Sequence, residues 1–144
     1  MIMNSRVDKL FVYGSLRSGF GQPAYAYLSK YFHLLGNGIV KGKLFDMGQY
    51  AAAKPTAENR VIHGELYEIN QMDEFDWAIG QLDEYEGICV EPGEKPLYYR
   101  EAVTVMIDSI EFTAWIYWFN GDAAGFPEIM SGDMLQYLQQ KNNA

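Results

Sequence analysis

Cysteine is almost absent: Cys89 stands alone among 144 residues, so no disulfide can close within the chain. Cations are scarce too, with 11 Lys and Arg against 19 Asp and Glu and a formal net charge of −8. Nucleic acid and anionic membrane surfaces both reward cations that neutralise phosphate, so neither is an expected partner. The two histidines, His33 and His63, have no Cys or carboxylate at metal-ligand spacing, and no metal site is expected. No apolar run reaches the ~20 residues needed to cross a bilayer. Met1-Ile2-Met3-Asn4-Ser5-Arg6 lacks the apolar core of a signal peptide, so a cytoplasmic location is the expectation. Nucleotide fingerprints are missing as well. Gly19 and Gly21 complete neither a P-loop nor a dinucleotide motif, and Ser15 sits in no Gly-x-Ser-x-Gly elbow.

What is present is apolar and aromatic. Hydrophobic residues make up 49% of the chain and aromatic ones 15%, with 14 glycines for tight turns. No repeat or linker divides residues 1–144, and one domain is expected. Leu10-Phe11-Val12-Tyr13, stopped by Gly14-Ser15, predicts a buried first strand, and Pro23 to Phe32 a short helix. Leu34 to Asp46 and Val61 to Ile69 predict two strands separated by a turn. Asn70 is a candidate helix cap, followed by Met72, Phe75, Ile79 and Leu82 at helical spacing and by Gly87 as terminator. Tyr98 to Ile107 and Phe112 to Phe119 predict a hairpin turning at Asp108-Ser109, and Ser131 a cap for a final helix to about Gln140. Trp115, Tyr117 and Phe119 alternate with Ile116 and Trp118, the pattern of a two-sided sheet. The order is mixed α+β without regular βαβ alternation, and a curved or closed sheet suits the glycines.

Two places invite chemistry. At about 100° per residue, Glu86 continues the inward stripe of the second helix, with Asp83 on its rim and Glu84 well away. A carboxyl group turned inward at a helix C-terminus has its pKa raised by burial and by the macrodipole, which suits a general base. The same residues equally fit a frayed last turn with Glu86 in solvent. The second place is Tyr13-Gly14-Ser15-Leu16, where the chain leaves a buried strand and successive amides could cradle an anion. An ordinary strand-to-loop turn has the same composition.

In order and spacing, these segments resemble the γ-glutamylcyclotransferase-like family, in its short branch of γ-glutamylamine cyclotransferases and AIG2-like proteins. Phe11-Val12-Tyr13-Gly14-Ser15-Leu16-Arg17 is similar to the family's opening signature, and Leu44-Phe45-Asp46-Met47-Gly48-Gln49-Tyr50 to the strand and turn that follow. Val61-Ile62-His63-Gly64-Glu65-Leu66-Tyr67 resembles the next strand, and Leu82-Asp83-Glu84-Tyr85-Glu86-Gly87 the segment with the catalytic glutamate. Tyr98-Tyr99-Arg100 resembles the family's Tyr-x-Arg. The resemblance implies a small mixed β-barrel flanked by helices, with Glu86 as the catalytic acid/base. It implies that Tyr13, Gly14, Ser15 and Leu16 hold a small γ-glutamyl compound through their backbone. Tyr98 and Arg100 would frame the pocket, Arg100 alternatively serving as an ion-pair partner, and Tyr117 would form a wall. The implied reaction cyclises a γ-glutamyl amide to 5-oxoproline and needs no metal or cofactor. Ile88 to Leu97 departs from the family pattern, which leaves the departing amine open. Other readings are a non-catalytic small-molecule binder on the same scaffold and an enzyme that removes a γ-glutamyl protecting group by the same cyclisation.

Overall fold

A computed structural model describes residues 7–14, 23–48, 51–85 and 95–142. Five strands close a barrel in the order β1-β5-β2-β6-β7: β1 (Lys9–Val12), β2 (Phe32–Lys41), β5 (Val61–Ile69), β6 (Tyr98–Ile107) and β7 (Ile110–Phe119). Neighbours are antiparallel, except where β1 meets β7 in parallel through Leu10 and Trp115 and closes the ring. A separate ribbon pairs β3 (Lys43–Asp46) with β4 (Ala51–Lys54). The helices are α1 (Pro23–Tyr31), α2 (Phe75–Tyr85) and α3 (Met134–Asn142). This is the expected α+β barrel with flanking helices. Among the described residues no helix is long and apolar enough to cross a membrane.

Strand alternation builds two cores. Leu10, Val12, Tyr67, Ile69, Tyr117 and Phe119 face Leu28 of α1 and Phe75, Ile79 and Leu82 of α2. Their neighbours Phe11, Ile62, Leu66, Ile116 and Trp118 turn the other way and pack with Leu44 and Ala53 of the ribbon and Met134 of α3. Both faces of β7 are therefore buried over Ile116 to Phe119, as its unbroken apolar run predicts.

The departures from expectation are local. Leu34 to Asp46 is two strands, because the chain bends at Gly42, whose amide bonds the Arg60 carbonyl at 3.1 Å. Asn70 does not cap α2. Its Oδ1 lies 2.7 Å from His33 Nδ1 and its Nδ2 donates to the Lys30 carbonyl at 3.4 Å. A 3₁₀ turn over Met72–Glu74 precedes α2, which leaves Met72 exposed instead of on the apolar stripe. The cap of α3 is Asp133, whose Oδ1 accepts from the Gln136 amide at 3.1 Å; Ser131 Oγ accepts from the Asp133 amide one step earlier, at 3.3 Å. The expected terminator Gly87 lies outside the described residues.

Asp108 and Ser109 both take positive φ, 48° and 71°, as a two-residue hairpin turn requires. A non-glycine residue in that region costs about 1–2 kcal/mol, partly offset for glycine by its larger chain entropy. Ser109→Gly should therefore stabilise the protein by about 0.5 kcal/mol. The urea midpoint should rise with an unchanged m value.

α3 is tied to the ribbon through Asp46, which accepts from Tyr137 Oη at 2.7 Å, the Gly48 amide at 2.8 Å and Lys141 Nζ at 3.3 Å. The Tyr137 hydrogen bond, then the Gly48 amide and Lys141, hold its carboxyl below the usual range. The unfolded chain, with Asp46 near its ordinary ~3.9, then binds more protons, so this contribution is present above that value and fades as pH falls through the folded pKa. Asp46→Asn should be less stable at neutral pH but lose less stability below about pH 4. Urea midpoints across that range read both effects.

Candidate active site

β1 ends at Val12, and Tyr13 follows, buried, with its hydroxyl donating to the Tyr117 carbonyl. The pairing of β6 with β7 sets Arg100 beside Tyr117 and Tyr98 beside Phe119. Arg100 and Tyr98, two residues apart, share one face of β6. The Tyr98 hydroxyl donates to the Ala51 carbonyl at 2.8 Å, and its ring meets Phe119 edge-on at 5.9 Å. Ala51 also borders Gly14: a Cβ added there would meet only Ala51 Cβ, at 3.8 Å, an ordinary contact. Packing among the described residues therefore does not demand glycine at position 14.

The centre of this cluster is a residue that sequence phase left at the edge. Asp83, near the end of α2, is buried. Its Oδ1 accepts from Arg100 Nε at 2.9 Å and from Tyr117 Oη at 2.8 Å, and its Oδ2 from Arg100 Nη2 at 3.2 Å. The Arg100 guanidinium also lies over the Trp115 ring, 4.4 Å from its centroid, and Trp115 Nε1 donates to the Val7 carbonyl at 3.2 Å. A two-pronged Arg–carboxylate contact fixes direction as well as distance. Three donors occupy most of the roughly four lone-pair sites of an ionised carboxylate, so Asp83 is poorly placed to act as a base. Glu84, next to it, is exposed.

A second buried carboxylate went unrecognised in the sequence. Glu65 pairs with Val12 across β5 and β1 and accepts from Tyr67 Oη at 3.0 Å. Burial, then the charge of Glu65, pushes the Tyr67 phenol above its usual range, so Tyr67 remains a donor. The strand period does place Glu65 on the face of Tyr67 and Ile69, and that was the available signal.

Of the expected site residues, the structure brings Tyr13, Arg100 and Tyr117 into one bonded cluster, and sets Gly14 and Tyr98 against the same alanine. Ser15, Leu16 and Glu86 lie outside the described residues; they follow directly on Gly14 and Tyr85 in the chain.

The sequence model of the family described as "Gamma-glutamyl cyclotransferase, AIG2-like" matches residues 10–136, from β1 into the first turn of α3. The chain belongs to this family. Within the AIG2-like γ-glutamyl cyclotransferases, it is 31% identical over 137 residues to a Methanocaldococcus jannaschii protein named "Putative gamma-glutamylcyclotransferase MJ1514", covering 91% of this chain and 98% of that one. The structure of YkqA from Bacillus subtilis matches 96% of the chain with a TM-score of 0.72 and 25% identity. The chain spans 44% of YkqA's length. A mouse AIG2-like protein shares the fold, with a TM-score of 0.63, 21% identity and 85% of each chain covered. Membership and the archaeal relative support a cyclotransferase-type function.

Proposed function

We propose that this AIG2-like protein cyclises a small γ-glutamyl amide to 5-oxoproline and releases the free amine, with Glu86 as the general acid/base. The observation that carries the reading is the double role of Tyr117. Its carbonyl accepts from Tyr13 at the end of β1, and its hydroxyl donates to Asp83 near the end of α2. One residue thus ties together the two chain ends that lead into Ser15-Leu16 and Glu86. Among the carboxylates of Asp83-Glu84-Tyr85-Glu86, Asp83 is engaged by Arg100 and Glu84 is exposed, which leaves Glu86 as the candidate.

In the proposed reaction, Glu86 removes a proton from the substrate's α-ammonium. The freed nitrogen attacks the γ-amide carbonyl carbon, forming the C–N bond of a five-membered ring. Amides at Gly14, Ser15 and Leu16 hold the γ-glutamyl group and the oxyanion, with Tyr98 and Tyr117 lining the space. Collapse breaks the original amide C–N bond, and Glu86 returns its proton to the departing nitrogen. The α-nitrogen loses two protons in all, and the amine, leaving as an ammonium ion, gains two; no water is consumed. Five-membered closure is intramolecular, so the protein's task is to fold the substrate into an attacking conformer.

The direct test incubates the protein with a panel of γ-glutamyl amines and measures 5-oxoproline and free amine together. The two products should appear in equal amounts. Tight binding of panel members without any turnover would instead favour a binding protein on this scaffold.

A further inference from the structure

A carboxylate is an unfavourable choice at position 83. It lies in the last turns of α2, where the helix dipole is already negative, and its side chain is only 13% exposed. Aspartate is also a weak helix former. A buried ion pair is commonly matched or surpassed in stability by well-packed apolar residues. What apolar residues lack is direction, and direction is what surrounds Asp83.

We infer that Asp83 is a positioning residue for the proposed cyclisation, aligning the end of α2 with the end of β1 through Arg100 and Tyr117. The inference rests on the function proposed above and adds a role to it. The groups that face Asp83 are Arg100 from β6 and Tyr117 from β7, and each is held a second time. Arg100 lies on Trp115, which is itself bonded to the Val7 carbonyl ahead of β1. Tyr117 takes the Tyr13 hydroxyl on its carbonyl. The network therefore runs from both sides of β1, across β7 and β6, to a single carboxylate on α2. Its members touch one another, so Arg100 and Tyr117 act on the helix end in addition to any contact with substrate. A shift of about 1 Å in a reacting group costs on the order of 10²-fold in rate, which sets the scale of the effect.

The test uses Asp83→Asn and the paired apolar variant Asp83→Leu/Arg100→Met, each read by steady-state kinetics, thermal unfolding and amide hydrogen exchange. The paired variant removes both charges at once and leaves no ion unpaired. With the Asp83 acceptor of the Tyr117 hydroxyl also gone, its Tm should fall by less than about 10 °C and the protein should stay folded. In both proteins we expect faster exchange at the end of α2, unchanged protection in β5 and β7, and kcat about 10²-fold lower with KM changed less than about threefold. Unchanged exchange at the end of α2 would overturn the inference. So would loosened exchange with wild-type kcat, which marks the network as structural only. Failure of the wild-type protein to turn over any panel member would sink the proposed function instead, and exchange alone would then decide whether Asp83 orders the helix end.

Discussion

Glu86→Gln should release 5-oxoproline about 10²–10⁴-fold more slowly than the wild-type protein, with KM little changed. Glutamine keeps the size of the side chain and can accept a hydrogen bond, but it neither takes nor returns a proton near neutral pH. The α-amine would then have to lose its proton to water before attack, and the leaving amine would depart unassisted. The acid limb of the wild-type kcat/KM profile, which reports the base in the free enzyme, should vanish in the variant. The neighbouring carboxylates make this prediction specific. Glu84 is exposed, so Glu84→Gln should stay within about twofold of wild type. Asp83 is held by three hydrogen bonds from Arg100 and Tyr117, so its loss should act through geometry and leave the acid limb in place. A Glu86→Gln protein that is folded and turns over at the wild-type rate would remove Glu86 from the mechanism.

The largest effect on stability is expected at Gly132. Its φ is +69°, where a side chain is strained, and an added Cβ would lie 1.9 Å from the Val61 carbonyl oxygen and 3.0 Å from its carbon. That contact is with backbone at the start of β5, so no side chain can rotate away. The Gly132 carbonyl also accepts from the His63 amide at 2.7 Å, which pins the two segments together. Gly132→Ala must therefore push the approach to α3 away from the barrel and break that bond. The expected cost exceeds about 3 kcal/mol, from left-handed strain together with overpacking. At roughly 3 °C per kcal/mol for a domain of this size, Tm should fall by about 10 °C or more. Gly125→Ala separates the two causes: its φ is +87°, yet nothing lies within 4 Å of the added Cβ. It should cost only about 1 kcal/mol. Equal losses in the two variants would show that the clash at Val61 relaxes freely.

Much of this fold was legible in local pattern. Val61–Ile69 is a strand over the expected residues, and the hairpin turns at Asp108-Ser109. Phase along α2 placed Phe75, Ile79 and Leu82 inward, and they are buried against α1 and the barrel. In each case period or turn chemistry within a short window sufficed, because the apolar faces of strand and helix are set by geometry that every residue carries. The alanine strand β4 escaped notice for the opposite reason. Alanine has little intrinsic strand preference, and Ala51–Lys54 is a strand because β3 pairs with it along its whole length, with Tyr98 bonded to its backbone.

The candidate site divides the same way. Tyr13, Gly14, Tyr98 and Arg100 are site candidates through the family resemblance of their motifs, Tyr117 is the wall residue that the resemblance implies, and α2 is legible in its apolar stripe. Sequence by itself determined the barrel with its helices, the family, and which carboxylates merit attention near Glu86. It did not determine what the polar atoms do. Asp83 looked peripheral because helical phase describes only one helix; its partners Arg100 and Tyr117 arrive from 17 and 34 residues away. Asn70 has the chemistry of a cap, yet its side chain is claimed by Lys30 and His33 from the neighbouring helix and strand. A hydrogen bond or ion pair needs its partner within about 3 Å and correctly aimed, a condition on two chain segments at once. Apolar burial is non-directional and can be read along a single segment, whereas the pairing of charges and hydroxyls was decided only when the barrel closed and brought those segments together.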